Sequence, residues 1–315
     1  DDLLCDQFES GAGIAQAQRH GWFAHAAHWG LMLGAHVMKP ASNPDWSRVI
    51  KRLVRRVGAP VVRESVQQLM SKLGDHFVLG QTIEAAAQRA KKMGSDFYLY
   101  SYDMLGEAAV TEADALRYFE AYQLAITSLR DVNDQCDLMA RPGVSVKLSA
   151  LHPRYEMVSA QVCVPVLVKR VLELVALAQS ARVSITLDAE EANRLMVSLM
   201  VFEGVYTQAG IAQWGGFGLA IQAYQKSAHA VISGCIALAK EQGGQIPIRL
   251  VKGAYWDSEI KSAQVAGLPF AVFTRKVATD VNYLACVHQL FDAGEAVYPQ
   301  FATHNAHTVA YVHTL

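Results

Sequence analysis

The sequence predicts an α/β protein, a (β/α)8 TIM-type barrel preceded by an all-helical region. Two observations lead there. From about residue 96 short strand-like segments alternate with helical ones, which implies parallel strands joined by crossover helices. Those strand-like segments also carry one aliphatic face and one small or polar face. The central strands of an open doubly wound sheet are aliphatic on both faces, so the one-sided pattern favours a barrel, with helices outside and an interior that admits a ligand.

Residues 1–95 read as a helical accessory region. SRVIKRLVRRVG, APVVRESVQQLMSKLG and TIEAAAQRAKKMG carry apolar residues at three- and four-residue steps and close on Gly. Arg48, Lys51, Arg52, Arg55 and Arg56 make a basic stripe, either an ordinary solvated helix face or one that meets a membrane surface or a partner. Residues 96–315 read as the barrel. Its strands are expected at 97–103, 144–149, 183–189, 217–224, 246–253 and 297–303. After the first, Thr111 and Asp114 predict a capping box, and Leu116, Phe119, Tyr122, Ile126 and Leu129 an apolar stripe. Six strands are visible where the fold needs eight. At roughly 30 to 50 residues per unit, two more units would need about 80 further residues.

Strand parity singles out polar side chains. Val144, Val146 and Leu148 oppose Ser145, Lys147 and Ser149, while Val183, Ile185 and Leu187 oppose Ser184, Thr186 and Asp188. Phe217, Leu219 and Ile221 likewise oppose Gly218, Ala220 and Gln222. Lys147, Asp188, Gln222 and Arg249 all fall late in their strands, where barrels build their sites. In IRLVKGAYWD, Arg249 and Lys252 precede Gly253, Tyr255 and Trp256, and a helix follows whose free N–H groups favour an anion. A flat, phosphate-bearing cofactor would use these features; the alternative is that Arg249 and Lys252 neutralise buried acids such as Asp188. FTRKV at 273–277 places cations at a helix start, against the helix dipole, unless an anion binds there.

Composition narrows the alternatives. The 315 residues carry a net charge of −1, which gives no global attraction to nucleic acid or anionic lipid. Five scattered cysteines without a C-x-x-C pair predict reduced thiols in a cytosolic protein. The acidic start DDLLCDQFES lacks the basic flank of a signal peptide, and no G-x-G-x-x-G follows a strand.

SYDMLGEAA, VKLSALHPRY, DAEEANRL, IQAYQK, RLVKGAYWDSEIK, FTRKV and PQFATHNAH together resemble the proline dehydrogenase domain of the bifunctional proline utilisation A flavoproteins. The resemblance runs through nearly the whole chain. It implies an FAD-dependent barrel that oxidises L-proline to Δ1-pyrroline-5-carboxylate, the first step of proline catabolism, by hydride transfer to flavin N5. Electrons would then pass to a membrane quinone. The resemblance places Arg249 by flavin N5 and Asp188, Ala189 and Gln222 near the ring system. Val251, Lys252, Gly253 and Ala254 would line the cofactor, and Trp256 would pack on the adenine. Phe273, Thr274, Arg275, Lys276, Thr303, His304 and Asn305 would hold the rest of FAD. Lys147, Asp188, Leu250 and Tyr255 match the proline pocket, and Glu107 resembles an acid that gates it. The family's paired substrate arginines fall beyond Leu315. The same resemblance implies a cytoplasmic protein with peripheral contact to the inner membrane and a pyrroline-5-carboxylate dehydrogenase as downstream domain or partner. It leads us to expect no ribbon-helix-helix DNA-binding module and no nucleic acid bound through this chain. Two competing readings are a metal-dependent barrel hydrolase using His152, His304, His307 and Asp188, and a non-catalytic scaffold.

Overall fold

Alternation of apolar and polar residues makes strands that pair side by side, and the structure shows six of them in chain order. It is a computed structural model that describes residues 74, 78–93, 98–106, 108–130 and 137–315. The chain divides into two units, Asp1–Phe77 and Val78–Leu315. The helices expected before residue 74, with the basic stripe of Arg48, Lys51, Arg52, Arg55 and Arg56, lie outside the described residues. The expected helix TIEAAAQRAKKMG is present as α1 (Ile83–Lys92), capped by Thr82. Its Ala86 and Ala87 enter the core of the second unit, so that unit begins earlier than the change of pattern near residue 96 suggests.

The strands are β1 (Ser101–Asp103), β2 (Gly143–Val146), β3 (Ser184–Leu187), β4 (Phe217–Gln222), β5 (Ile246–Val251) and β6 (Val297–Phe301). They form one parallel sheet in the order β1 to β6. Between them run α2 (Glu112–Ser128), α3 (Leu148–Leu151), α4 (Ala160–Ala181), α5 (Leu195–Tyr206), α6 (Ile211–Trp214), α7 (Ala228–Gln242), α8 (Trp256–Ala266) and α9 (Lys276–Asp292). The last helix, α10 (Ala306–Thr314), follows β6. A sheet wound in chain order by such helices is the arrangement of a TIM-type barrel.

Register confirms the two faces. Asp103 pairs with Ser145, Ser145 with Thr186, Thr186 with Gly218, Ala220 with Arg249, and Arg249 with Gln300. Those residues share the inner face. The opposite parity, with Val144, Val146, Ile185, Leu187, Phe217, Leu219, Ile246, Ile248 and Leu250, is buried in the core. Phe202 of α5 stacks on Phe217 with ring centroids 5.0 Å apart, which ties a helix to that apolar face.

Three local expectations change. The second strand stops at Val146, and Lys147 becomes the N-cap of α3, so Leu148 and Ser149 are helical and both buried. The first strand runs over Ser101–Asp103, and among the described residues of 97–103 these are the ones with a ladder partner. In α2 the capping box of Thr111 and Asp114 is formed, but the buried stripe begins at Ala115, while Leu116 is 47 % exposed. Steps of four, three, four and three residues from Ala115 reach Phe119, Tyr122, Ile126 and Leu129, and that stripe excludes Leu116.

Cys163, Cys235 and Cys286 are free, buried thiols. Burial pushes Cys235 up to about 12 and Cys286 up to about 11, from a usual 9.0. A folded-state pKa above the unfolded value means stability that is complete below pH 9.0 and is lost as pH rises through 11 to 12. The melting temperature should therefore fall between about pH 9 and pH 12. At pH 8 a thiol reagent should label Cys235 and Cys286 only as fast as the protein unfolds; prompt labelling of the native protein would show that these helices do not pack as described.

Candidate active site

The polar inner residues gather where the strands stop. Beyond the end of β2, the Lys147 backbone N–H donates to the Tyr122 hydroxyl at 3.1 Å, fixing the side chain's origin. Its ammonium lies 2.7 and 2.8 Å from the two Asp103 oxygens and 3.0 Å from Asp188 Oδ2. Arg249 reaches the same group from β5: Nη1 donates to Ser145 Oγ at 2.8 Å and stands 3.4 Å from Asp188 Oδ1. Its Nη2 donates to Ser101 Oγ at 2.7 Å and to Thr186 Oγ1 at 3.5 Å. Thus four strand ends contribute one chain of alternating charge, Asp103, Lys147, Asp188 and Arg249.

The Lys147 side chain is 8 % exposed and that of Asp188 17 %. Burial opposes the lysine charge, but hydrogen bonding to Asp103 and the fields of both carboxylates outweigh it, and the pKa lies above the ordinary lysine value. Burial pushes Asp188 up; Lys147 and Arg249 oppose this, and the Asp103 carboxylate adds to it. The ammonium therefore keeps its proton, while burial makes the Asp188 carboxyl easier to protonate than an ordinary aspartate. Asp103, which parity reasoning passed over, is the closest partner of Lys147. Its place at the end of an expected strand was the available signal.

Gln222 is buried; its Nε2 donates to the Glu190 carbonyl at 2.8 Å, and its Oε1 accepts the Ala254 N–H at 3.2 Å. Ala189, Glu190 and Gln222 line a cavity of about 20 Å³, room for a single water. Leu250 is not brought to this cluster, because one step along β5 from Arg249 turns its side chain to the fully buried outer face. Tyr255, the N-cap of α8, is half-buried. The first turn of α8 carries Asp257 and Glu259, which answer the helix dipole themselves and oppose the anion expected there. Gly253 adopts φ +143, and a Cβ there would come within 2.4 Å of the Tyr224 ring, so the close approach that requires glycine is to this ring.

A second cluster forms beside the first. Lys252 Nζ, just past β5, lies 2.6 Å from Asp280 Oδ1, and Lys276 Nζ lies 2.6 Å from Asp280 Oδ2. Lys252 also stands 3.4 Å from Thr308 Oγ1, at the start of α10, whose cap is Asn305. Thr303 Oγ1 accepts the Asn305 N–H at 3.1 Å, while Thr274, Arg275 and His304 are exposed nearby in sequence. The Trp256 indole donates to the Phe273 carbonyl at 2.9 Å, and the residue as a whole stays 43 % exposed. Val251 is half-buried on the inner parity of β5. Glu107 lies outside the described residues.

His152 is buried, with its Nδ1 accepting the Arg154 N–H at 3.0 Å, and both Asp188 oxygens already face cations. Among the described residues no three His, Cys, Asp or Glu side chains are grouped to hold a metal. No helix of the described residues is long and apolar enough to cross a membrane.

Residues 86–315 match the family model "Proline dehydrogenase", and residues 1–77 match "DNA-binding domain of Proline dehydrogenase". The second match, to a DNA-binding domain, goes against the expectation of no nucleic acid through this chain. A net charge of −1 over the full length carries no sign of such a domain. "Bifunctional protein PutA" of Klebsiella aerogenes is 42 % identical over 317 residues, covering 100 % of this chain and 24 % of that protein. The protein of the same name from Escherichia coli (strain K12) matches at 42 % over the same extent. A solved "bifunctional proline utilization A (PutA) protein" superposes with TM-score 0.74 at 44 % identity, over 99 % of this chain and 32 % of that one. A PutA structure described "with proline bound in remote sites" gives TM-score 0.72 at 50 % identity, over 83 % and 27 %. The chain thus spans about a quarter of the length of the curated relatives it matches.

Replacing Lys147 by Met would remove the cation between Asp103 and Asp188 and leave Asp188 with Arg249 alone. At pH 7 this should cost about 3 kcal/mol of stability, measured by denaturant melts. The deficit should shrink as pH falls and the carboxyls protonate, and should be smaller in an Asp188→Asn background. Equal costs in both backgrounds would mean that Lys147 and Asp188 are not coupled.

Proposed function

The chain belongs to the proline dehydrogenase family, and from that premise we propose that it forms the FAD-dependent site that oxidises L-proline to Δ1-pyrroline-5-carboxylate. Electrons would pass from there to a membrane quinone at the inner face of a bacterial cell, and a dehydrogenase portion would consume the product. The observation that carries the reading is the convergence of Lys147, Asp188 and Arg249 at the strand ends, beside the Lys252 cluster.

The residues suit the cofactor. Lys252 and Lys276 with Asp280 leave one net positive charge, and exposed Arg275 adds another, at the start of α9, where backbone N–H groups favour a phosphate. The part-exposed Trp256 offers a face for an aromatic base. FAD, when bound, would supply the acceptor for a hydride from C5 of proline. Arg249 would hold a fixed positive charge where negative charge develops, and Asp188, Ser101 and Ser145 keep its plane from swinging. Lys147, locked as ammonium, raises the cost of a second cation nearby and so favours a proline ring nitrogen bound without its extra proton. Tyr255 would close the pocket against water, which matters because hydride transfer needs close contact and a dry site.

The purified full-length protein should show a flavin absorbance spectrum that bleaches under anaerobic conditions when L-proline is added. Arg249→Met should slow that reduction by about 100-fold or more while leaving the melting temperature within a few degrees. A flavin indifferent to proline would sink the reading, and unchanged kinetics in the variant would remove Arg249 from its role.

A further inference from the structure

The ladder between β1 and β2 ends at Asp103 opposite Ser145. The chain returns to the exit of β2 at Ala108 and Ala109, and both of their amides go to a single residue. The Ala108 N–H donates to Ser149 Oγ at 3.3 Å, and the Ala109 N–H donates to the Ser149 carbonyl at 2.8 Å. Ser149 is 2 % exposed, and its own N–H donates to Glu190 Oε1 at 3.0 Å. Ala108 has φ +56, a region that residues with a Cβ enter only at some cost, so these bonds hold it in a conformation it would otherwise leave.

The bonding continues round the strand ends. Glu190 Oε2 takes Arg194 Nη1 at 2.8 Å, the Glu190 carbonyl takes Gln222, and Gln222 takes the Ala254 N–H. A belt of hydrogen bonds therefore runs from the exit of β1 to the exit of β5, and Ser149 is its joint on the segment that carries Lys147. Lys147 precedes it by two positions.

We propose that Ser149 is a positioning residue: one buried side chain locks the exit of β1 to the exit of β2 and so sets Asp103 against the Lys147 ammonium. The inference deepens the functional reading above and rests on it, because Lys147 matters here as part of the proline site. Ser149 touches no reacting atom in this scheme; it acts through Lys147 and Asp103.

The hydroxyl is the discriminating atom. In the full-length protein, Ser149→Ala removes the acceptor for Ala108 but leaves the carbonyl that holds Ala109. Residue-resolved amide exchange should quicken about fivefold or more at Ala108 and stay within about twofold at Ala109. The KM for L-proline should rise about fivefold with kcat changed less than about twofold, since Arg249 and Asp188 keep their partners. Ser149→Thr, which keeps the hydroxyl, should restore both. Unchanged exchange at Ala108, an unchanged KM, or exchange rising uniformly across the barrel would overturn the proposal. Should Ser149→Ala fail to fold, Ala108→Gly decides instead: glycine adopts φ +56 freely, so the melting temperature should rise, and a fall would overturn the tether. If the unaltered protein's flavin ignores proline, the functional reading fails, while the contrast between Ala108 and Ala109 still decides whether Ser149 is the joint.

Discussion

The Lys147 ammonium, held between Asp103 and Asp188, is the interaction on which the interior of this sheet depends. Its contacts with Asp103 and Asp188 at 2.7 to 3.0 Å tie together the exits of β1, β2 and β3, and through Asp188 they reach Arg249 on β5. Removing these charges from water is costly, and only their mutual pairing offsets the cost. The apolar helices outside could be supported by many sequences. The polar interior is compatible with few, because each acid needs its cation and each cation its hydroxyls.

The outer half of this design was legible in the alternation of aliphatic residues. Six strands stand where they were expected, because parity of Val144 with Val146, or Ile185 with Leu187, records which side meets the helices. Lys147 and Asp188 fell on the correct face by the same logic. Strand ends were less legible: Lys147 looks like a continuing strand residue, whereas its neighbour Leu148 already belongs to a helix turned by backbone bonds. Asp280 was missed because a carboxylate on a helix declares its partner only in three dimensions, and Asp103 because its strand-end position went unused. Leu250, which the family resemblance sets in the proline pocket, lies by strand parity on the apolar face.

β5 divides its labour within a few residues. Up to Val251 it keeps regular alternation, so Arg249 faces the interior while Leu250 faces the core. Past Val251 the pattern fails, and Lys252 turns to Asp280 and the start of α10 instead. Gly253, pressed on the Tyr224 ring, is the point at which the backbone changes direction and Tyr255 and Trp256 begin a helix. Two cation sites of different purpose can thus arise from neighbouring residues of one strand.

The inner quartet has two negative and two positive members, so it is electrically balanced while remaining strongly polar. A balanced cluster has a field that dies away within a few ångströms, whereas a net charge is felt over a Debye length of about 8 Å. Such a site exerts its selectivity only on molecules already seated against it. Encounter with an electrically neutral zwitterion would then proceed at the pace of ordinary diffusion, indifferent to the ionic strength around it.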